Sequence, residues 1–162
     1  MTELLDWVEK QALENIRFHI QTSEHLTKES NTTLTLLLAG IGGAVAYLTK
    51  LFDSQAEFWL VTAVGAFGVQ LIVLAALLIW YCLRTDVMWP PTSEPLCLFQ
   101  PSFTVDRLRE VELENIQGRI NQVVQRNNRV ATWLDRVRFG AVSAPIASAA
   151  AAVLCTVLAR VC

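Results

Sequence analysis

The side chains that most often carry chemistry are sparse in this sequence, and their spacing fits no common active site. His19 and His25 are six residues apart, which places them on different faces of a helix, with no cysteine nearby in the sequence. Glu110, Glu112 and Glu114 alternate, so a helix would spread them over a solvated surface. The sequence contains no phosphate-binding loop, nucleophile elbow or zinc-protease motif. We therefore predict that the protein is not an enzyme and uses neither a metal nor a cofactor.

Three arginines offer a different chemistry, the binding of anions. Arg119 and Arg126 are seven residues apart and share a helical face, and Arg129 lies nearby. In a homo-oligomer such rows would form rings that attract a nucleotide or oligonucleotide. The simpler alternative is pairing with the N-terminal segment, because residues 1–29 hold six acidic and three basic side chains, whereas residues 115–138 hold five arginines and one aspartate.

Hydroxyl groups in an apolar segment could line a path for ions or water. Ser143, Ser148 and Thr156 lie in the alanine-rich segment near the end of the sequence and are the candidates for pore-lining residues. Close packing of small side chains is the alternative explanation for this composition. Gln70 is the strongly polar side chain deep in another apolar segment, where we expect it to bond to a neighbouring helix.

Three long uncharged segments must position these residues. They extend over Ser30 to Thr49, Phe58 to Leu83 and Phe139 to Ala159, and each is close to or longer than the ~20 residues that cross a bilayer. The chain is 53% hydrophobic and only 17% charged, unlike a typical soluble domain. We predict an all-α integral membrane protein with transmembrane helices over 30–52, 58–83 and 139–160. A soluble bundle, the alternative, would need polar stripes that these segments lack.

Charge placement predicts the orientation of these helices in a bacterial inner membrane. With a short external hairpin over 53–57, eleven of the thirteen Lys and Arg residues fall on the side that holds the N-terminus. The positive-inside rule therefore predicts a cytoplasmic N-terminus and an external C-terminus. Trp59, Trp80 and Tyr81 stand at the span ends, where aromatic side chains favour the membrane interface. The three uncharged segments contain no Asp, Glu, Lys, Arg or His, which disfavours coupled transport.

Long amphipathic cytoplasmic helices are predicted to continue into the first and third spans. One covers residues 1–29, a proline-rich irregular linker covers 84–103, and the second helix covers 104–138. The second helix carries a heptad seam whose apolar positions alternate three and four residues apart: Leu113, Ile116, Ile120, Val123, Asn127, Val130, Leu134 and Val137. Asn127 in a core position is typical of a residue that fixes register or oligomer number. The seam could equally pack on the N-terminal helix of the same chain or on other copies.

Small residues in the spans indicate close approach between helices. Gly40 and Gly43 belong to the first span. Gly140 and Ala144 begin a row of small residues, each four positions apart, in the third span. In lipid, such rows let helix backbones pack closely, which is a main source of association. We predict that these four residues pack helices together within the chain or between chains.

Two segments resemble the SLATT-type small transmembrane effectors of nucleotide-signalling bacterial antiphage systems. They are EHLTKESNTTLTLLLAGIGGA, at 24–44, and VELENIQGRINQVV, at 111–124. The resemblance lies in the order of elements, and the third span departs from the two-span pattern of the family. It implies an oligomeric pore in the inner membrane, controlled by a nucleotide or oligonucleotide signal that a partner nucleotidyltransferase makes.

Two functions therefore compete at the level of the sequence. The first is a homo-oligomeric inner-membrane channel or membrane-disrupting effector that is controlled from the cytoplasm, in contact with membrane lipid and without a metal. The second is a non-conducting membrane anchor or assembly subunit that recruits a partner through its cytoplasmic helices. A phage holin fits less well, because the charge bias predicts the orientation opposite to that of a three-span holin.

Overall fold

The computed structural model describes residues 2–85 and 90–161, and over these residues it is helical and contains no strand. Its elements are α1 (Thr2–Asp53), α2 (Phe58–Leu78), a π-helical turn (Ile79–Leu83), α3 (Pro95–Leu98) and α4 (Val105–Val161). Three helices are long and apolar enough to cross a membrane: α1, α2 with its π-helical turn, and α4. The prediction of an all-helical chain with three such helices is confirmed.

Helix α1 continues through the polar sequence that precedes its apolar half. The hydroxyls of Thr32 and Thr33 donate to the carbonyls of Lys28 and Glu29, four residues back, at 3.0 and 2.9 Å. These bonds satisfy the hydroxyls within the helix, so the segment does not interrupt it. The helix ends at Asp53, and Gln55 two residues later is left-handed, with φ 50°. Around it, Ala56 N–H donates to the Leu51 carbonyl at 3.0 Å, the bond that closes a Schellman motif.

The linker between α2 and α4 contains more helix than the sequence predicts. Its four prolines indicated an irregular segment over 84–103, yet α3 forms one helical turn that begins at Pro95. Proline is favourable in the first turn because the amide proton that it lacks would have no helical partner there. Residues 86–89 of the predicted linker lie outside the described residues.

Helix α4 begins at a cap and continues as one element to Val161. The backbone N–H of Arg107 donates to the Thr104 hydroxyl at 3.4 Å, and Asp106 lies in the first turn, where a negative charge is favourable. Neither Gly140 nor Pro145 ends the helix. Proline lacks an amide proton, so the helical hydrogen bond from residue 145 is missing.

The chain divides into two compact units. The polar unit contains residues 1–27 and 85–130, and the apolar unit contains residues 28–84 and 131–162. The core of the polar unit joins Ile16 of α1 to Ile116 and Ile120 of α4. In the apolar unit, α1, α2 and α4 each contribute buried side chains, among them Leu37, Leu71, Leu78, Leu134, Val137 and Ala144.

Candidate functional site

The heptad seam of α4 is the face that the chain itself buries. In the polar unit Ile116, Ile120 and Val130 are buried, and Leu113 and Val123 are half-buried. Ile116 and Ile120 pack with Ile16 of α1, beside four half-buried side chains: Ala12, Leu13, Ile20 and Val124. Of the three remaining seam positions, Asn127 is buried in the polar unit, and Leu134 and Val137 are buried in the apolar unit. Ile116 and Ile120 of the seam therefore pack against α1 of the same chain.

Asn127 is the polar member of this seam, and it is 6% exposed. Its Nδ2 donates to the backbone carbonyl of His19 at 2.9 Å. Its Oδ1 is buried and has no hydrogen-bond partner among the described residues. A buried acceptor without a donor reduces stability by roughly 1–3 kcal/mol. Asn127 therefore specifies the alignment of α1 and α4 while it lowers the stability of their contact.

The three candidate anion-binding arginines differ in the hydrogen bonds that they form within the chain. Arg126 donates to the Ser23 hydroxyl on α1. Arg119 bonds to Glu112, Ser93 and the carbonyl of residue 91. Arg129 is exposed, and no acidic side chain of the described chain forms an ion pair with it. Of the three, Arg129 has the guanidinium that is open to a ligand.

Within the polar unit, the acidic N-terminal helix pairs with an arginine of α4 that lies outside the predicted basic segment, whereas Glu29 pairs with Arg138 of that segment in the apolar unit. Arg109 bonds to Glu9 through Nε at 3.0 Å and also pairs with Asp6. The hydrogen bonds that Arg109 donates to the carboxylates of Glu9 and Asp6 raise the pKa of Arg109. The six acidic residues of 1–29 indicated such pairing, but the sequence does not show which arginine would be reached.

A group of hydrogen bonds, named here the Glu112 cluster, holds the proline-rich linker on α4. The Glu112 carboxylate accepts from the Ser93 backbone N–H at 2.8 Å, the Ser93 hydroxyl at 2.6 Å and Arg119 at 3.1 Å. Partial burial alone would raise the pKa of Glu112, but these bonds from Ser93 and Arg119 outweigh it and lower the pKa. The prediction of a solvated Glu112 was therefore wrong, because the linker returns to cover it. Glu110 stays at the surface and pairs with Arg107 at 3.0 Å.

Two cavities border the Glu112 cluster in the polar unit. One, of about 430 Å³, lies between the linker and α4, next to Cys97, Phe103 and Val111. The other, of about 370 Å³, reaches α1 and is lined by Leu13, Leu113 and the Arg109–Glu9 pair among others. Glu112 lines both cavities. A change in the hydrogen bonds of Glu112 would therefore alter the shape of each.

In the apolar unit, two of the predicted glycines lie at close helix contacts. A Cβ at Gly40 would lie 2.8 Å from Cδ1 of Leu71, and one at Gly140 would lie 2.8 Å from Cδ2 of Leu74. Ala144 is fully buried. Gly43 is different, because a Cβ there would meet nothing within 4 Å. Gly43 is thus not a packing position within a single chain.

A side-chain hydrogen bond joins α2 to α4 beside Gly140. Nε2 of Gln70 donates to the Gly140 carbonyl at 3.3 Å, as expected of a polar side chain deep in a span. The hydroxyl of Ser143 donates to the same carbonyl at 3.0 Å. Pro145, which has no amide proton to donate, lies about one turn further along α4. Polar contacts are therefore concentrated around this part of α4.

The candidate pore-lining hydroxyls are satisfied inside their own helix. Ser148 donates to the Pro145 carbonyl at 2.9 Å and Thr156 to the Val153 carbonyl at 2.8 Å, three residues back in each case, as Ser143 does. Ser148 is buried, and Ser143 and Thr156 are half-buried. Bulky apolar side chains cover the exposed surface of this segment, including Phe139, Val142, Ile146, Val153 and Leu154.

At one end of the apolar unit, Trp80 and Tyr81 meet three side chains that were not predicted from the sequence: Arg84, Trp133 and Arg136. Tyr81 stacks on Trp133 with ring centroids 3.9 Å apart and planes at 5°. The guanidinium of Arg136 lies 5.0 Å from the Trp133 ring centre, and that of Arg84 lies 5.6 Å from the Trp80 ring centre. Each arginine lies three or four residues from its tryptophan in the sequence, a spacing that makes the two neighbours on a helix surface and could have predicted the contact.

No group of three or more His, Cys, Asp or Glu side chains that could hold a metal ion occurs among the described residues. No protein-family model, curated protein or solved structure matches the chain, so its functional assignment depends on the contacts described above.

Proposed function

We propose that this protein is an integral protein of a bacterial inner membrane that anchors an assembly surface at the cytoplasmic face. Its three apolar helices would span the bilayer. The charge bias favours a cytoplasmic N-terminus and an external C-terminus, because eleven of thirteen basic residues then lie inside. The polar unit would recruit a partner protein.

The observation that carries this proposal is the pair of large aromatic side chains exposed on α1 of the polar unit. Trp7 is 61% exposed and Phe18 is 63% exposed. They are eleven residues apart, about three helical turns, so they lie on one face. The opposite face of α1 holds Ile16, which is buried in the core of the unit. Exposed apolar groups on a polar unit commonly mark a surface that binds another molecule.

The packing of the apolar unit favours an anchor over a conducting path through one chain. Ser148 is buried against other helices of the chain, and its hydroxyl is bonded within α4. The exposed side chains around it are large and apolar, a surface suited to lipid. The described residues of a single copy therefore provide no continuous lining for a hydrophilic path.

Photo-crosslinking in cells tests the proposed assembly surface. A photoreactive residue is placed at Trp7 or Phe18, and at Gln122 as the matched control, because Gln122 is also exposed in the polar unit. The proposal expects one discrete crosslinked product from positions 7 and 18 and none from position 122. No product from position 7 or 18, or the same set of products from all three positions, would contradict it.

A homo-oligomeric channel or membrane-disrupting effector is the second candidate, and the open surface at Gly43 favours it. Ala39 and Ala46 are exposed on the same side of α1, so a second copy could approach closely. Control by a nucleotide from a partner nucleotidyltransferase, as in the SLATT-type resemblance, would then depend on Arg129. Purified protein would show an oligomeric mass in detergent and ion flux in liposomes. A monomer without flux would contradict this candidate.

A further inference from the structure

We propose that the end of the apolar unit that contains Arg84 and Arg136 binds the headgroup of an anionic phospholipid. The inference rests on the membrane insertion in the proposed function, and it does not depend on whether the protein conducts ions. It adds a preferred lipid class to that function.

The first observation is that both arginines lie at the same end of the unit. Arg84 follows the apolar segment of α2, and Arg136 precedes the apolar segment of α4. The two helices run antiparallel, because Gln70 bonds to Gly140 and Tyr81 stacks on Trp133. Both guanidinium groups therefore lie where the predicted spans meet the cytoplasmic leaflet.

The second observation is that each guanidinium group lies beside an aromatic ring. Each lies over a tryptophan ring, at 5.6 Å for Arg84 and 5.0 Å for Arg136. Neither forms an ion pair with an acidic side chain of the described chain, and both residues are exposed. A ring below the guanidinium plane leaves the N–H edge free, and that edge matches a phosphate group with two parallel hydrogen bonds.

A third arginine at the same end shows the contrast. Arg138 pairs with Glu29, and its Nε donates to the Thr33 hydroxyl at 3.3 Å. Its charge is therefore balanced within the chain. Arg138 supplies a control at nearly the same depth, since its removal takes away a cation that is already paired.

Anionic phospholipid fits this arrangement better than a soluble anion does. Trp80 is 64% exposed and its ring lies beside Arg84, so an apolar surface adjoins the cation. A phospholipid supplies both a phosphate for the guanidinium and glycerol and acyl carbons for the ring. A basic residue near an anionic membrane surface contributes about 1 kcal/mol, a fivefold change in affinity.

Native mass spectrometry of the full chain in detergent tests the inference. The protein is titrated separately with phosphatidylglycerol and phosphatidylcholine that carry the same acyl chains, and bound lipids are counted. Wild type should prefer phosphatidylglycerol. The double variant Arg84→Gln, Arg136→Gln should bind phosphatidylglycerol about 25-fold more weakly than wild type and lose little affinity for phosphatidylcholine. Arg138→Gln should change either affinity by less than about twofold.

The other outcomes separate the possible failures. Equal affinity of wild type for both lipids, or an equal loss in Arg138→Gln, would overturn the lipid site and leave membrane insertion intact. Displacement of phosphatidylglycerol by millimolar inorganic phosphate would assign the site to a soluble anion and also overturn the inference. Binding of neither lipid would contradict the proposed membrane function itself. Circular dichroism of each variant confirms that its helical content is that of wild type.

Discussion

The side-chain amide of Asn127 donates to the backbone carbonyl of His19 at 2.9 Å, in the unit whose apolar core joins Ile16, Ile116 and Ile120. The bond fixes the alignment of α1 and α4, because a shift along either helix would separate donor and acceptor. The other side-chain atom, Oδ1, is buried without a partner among the described residues. Specificity of alignment and loss of stability thus come from one side chain.

We expect Asn127→Leu to raise stability. The substitution removes the unpaired Oδ1, and the His19 carbonyl keeps its place in the hydrogen-bond ladder of α1. A gain of about 1 kcal/mol would raise the melting temperature by about 2–4 °C for a chain of this size. The measurement is thermal unfolding in detergent, followed by circular dichroism. Asn127→Asp is the control that should lower the melting temperature, since it buries a charge; a lower melting temperature for Asn127→Leu would contradict the prediction.

We expect the Glu112 cluster to weaken at acid pH. The folded chain lowers the pKa of Glu112 below its ordinary value of 4.5. The cluster therefore contributes its full stability above the pKa of the unfolded chain. That contribution is lost as the pH falls from about 4.5 through the lower pKa of the folded chain. Carbon-13 NMR of the glutamate carboxyls, with Glu112→Gln used to assign the signal, measures this titration.

The variant Glu112→Gln also supplies a test at neutral pH. It keeps the size of the side chain but removes the charge that Arg119 and Ser93 bind, so the linker should become less protected from proteases. Glu114→Gln, an exposed residue on the same helix, is the matched control. Equal protease resistance in both variants would show that the cluster does not hold the linker.

The sequence predicts the helices well because each depends on a local pattern. Uncharged length identified the three apolar helices, and the seam from Leu113 to Val137 identified the face of α4 that the chain buries. Both signals persist over many residues. The end of α1 is harder to predict, because a Schellman motif with Gln55 at its left-handed position carries no glycine signal.

The side-chain contacts were much less predictable. Arg109 rather than a member of 115–138 reaches Glu9, and Glu112 is covered by Ser93 of the linker. Long charged side chains can reach several partners, so small differences in backbone position decide which ion pairs form. The aromatic stack of Tyr81 on Trp133 joins residues of different helices, and spacing along the sequence cannot reveal such a pair.

We expect Gln70→Leu to lower the stability of the apolar unit slightly. The change removes the bond from Nε2 to the Gly140 carbonyl, which in lipid corresponds to about 0.6 kcal/mol and at most about 1.7 kcal/mol. Thr62→Val is the matched control, because its hydroxyl bonds only to the Phe58 carbonyl of its own helix. Thermal unfolding in detergent should separate the two variants. An equal loss of thermal stability in both variants would mean that the hydrogen bond between α2 and α4 does not stabilise the apolar unit.

We expect leucine substitutions at Gly140 and Gly43 to have opposite consequences. Even a Cβ at Gly140 would lie 2.8 Å from Cδ2 of Leu74, so a whole leucine must displace the Leu74 side chain. Overpacking of this kind lowers stability by about 1–3 kcal/mol. A leucine at Gly43 enters open space and replaces a poor helix former, so unfolding should be unchanged or shifted to slightly higher temperature.

The pair of variants also separates folding from assembly, because only a second copy could cover Gly43. Thermal unfolding gives the stability of each variant, and multi-angle light scattering in detergent gives its mass. If copies associate through the exposed face of Ala39, Gly43 and Ala46, Gly43→Leu should reduce the measured mass of the particle. Gly140→Leu, measured below its melting temperature, should leave that mass unchanged. An oligomeric mass that Gly43→Leu leaves intact would place the interface on another face of the spans. A wild-type monomer would leave Gly43 facing lipid, as the anchoring function requires.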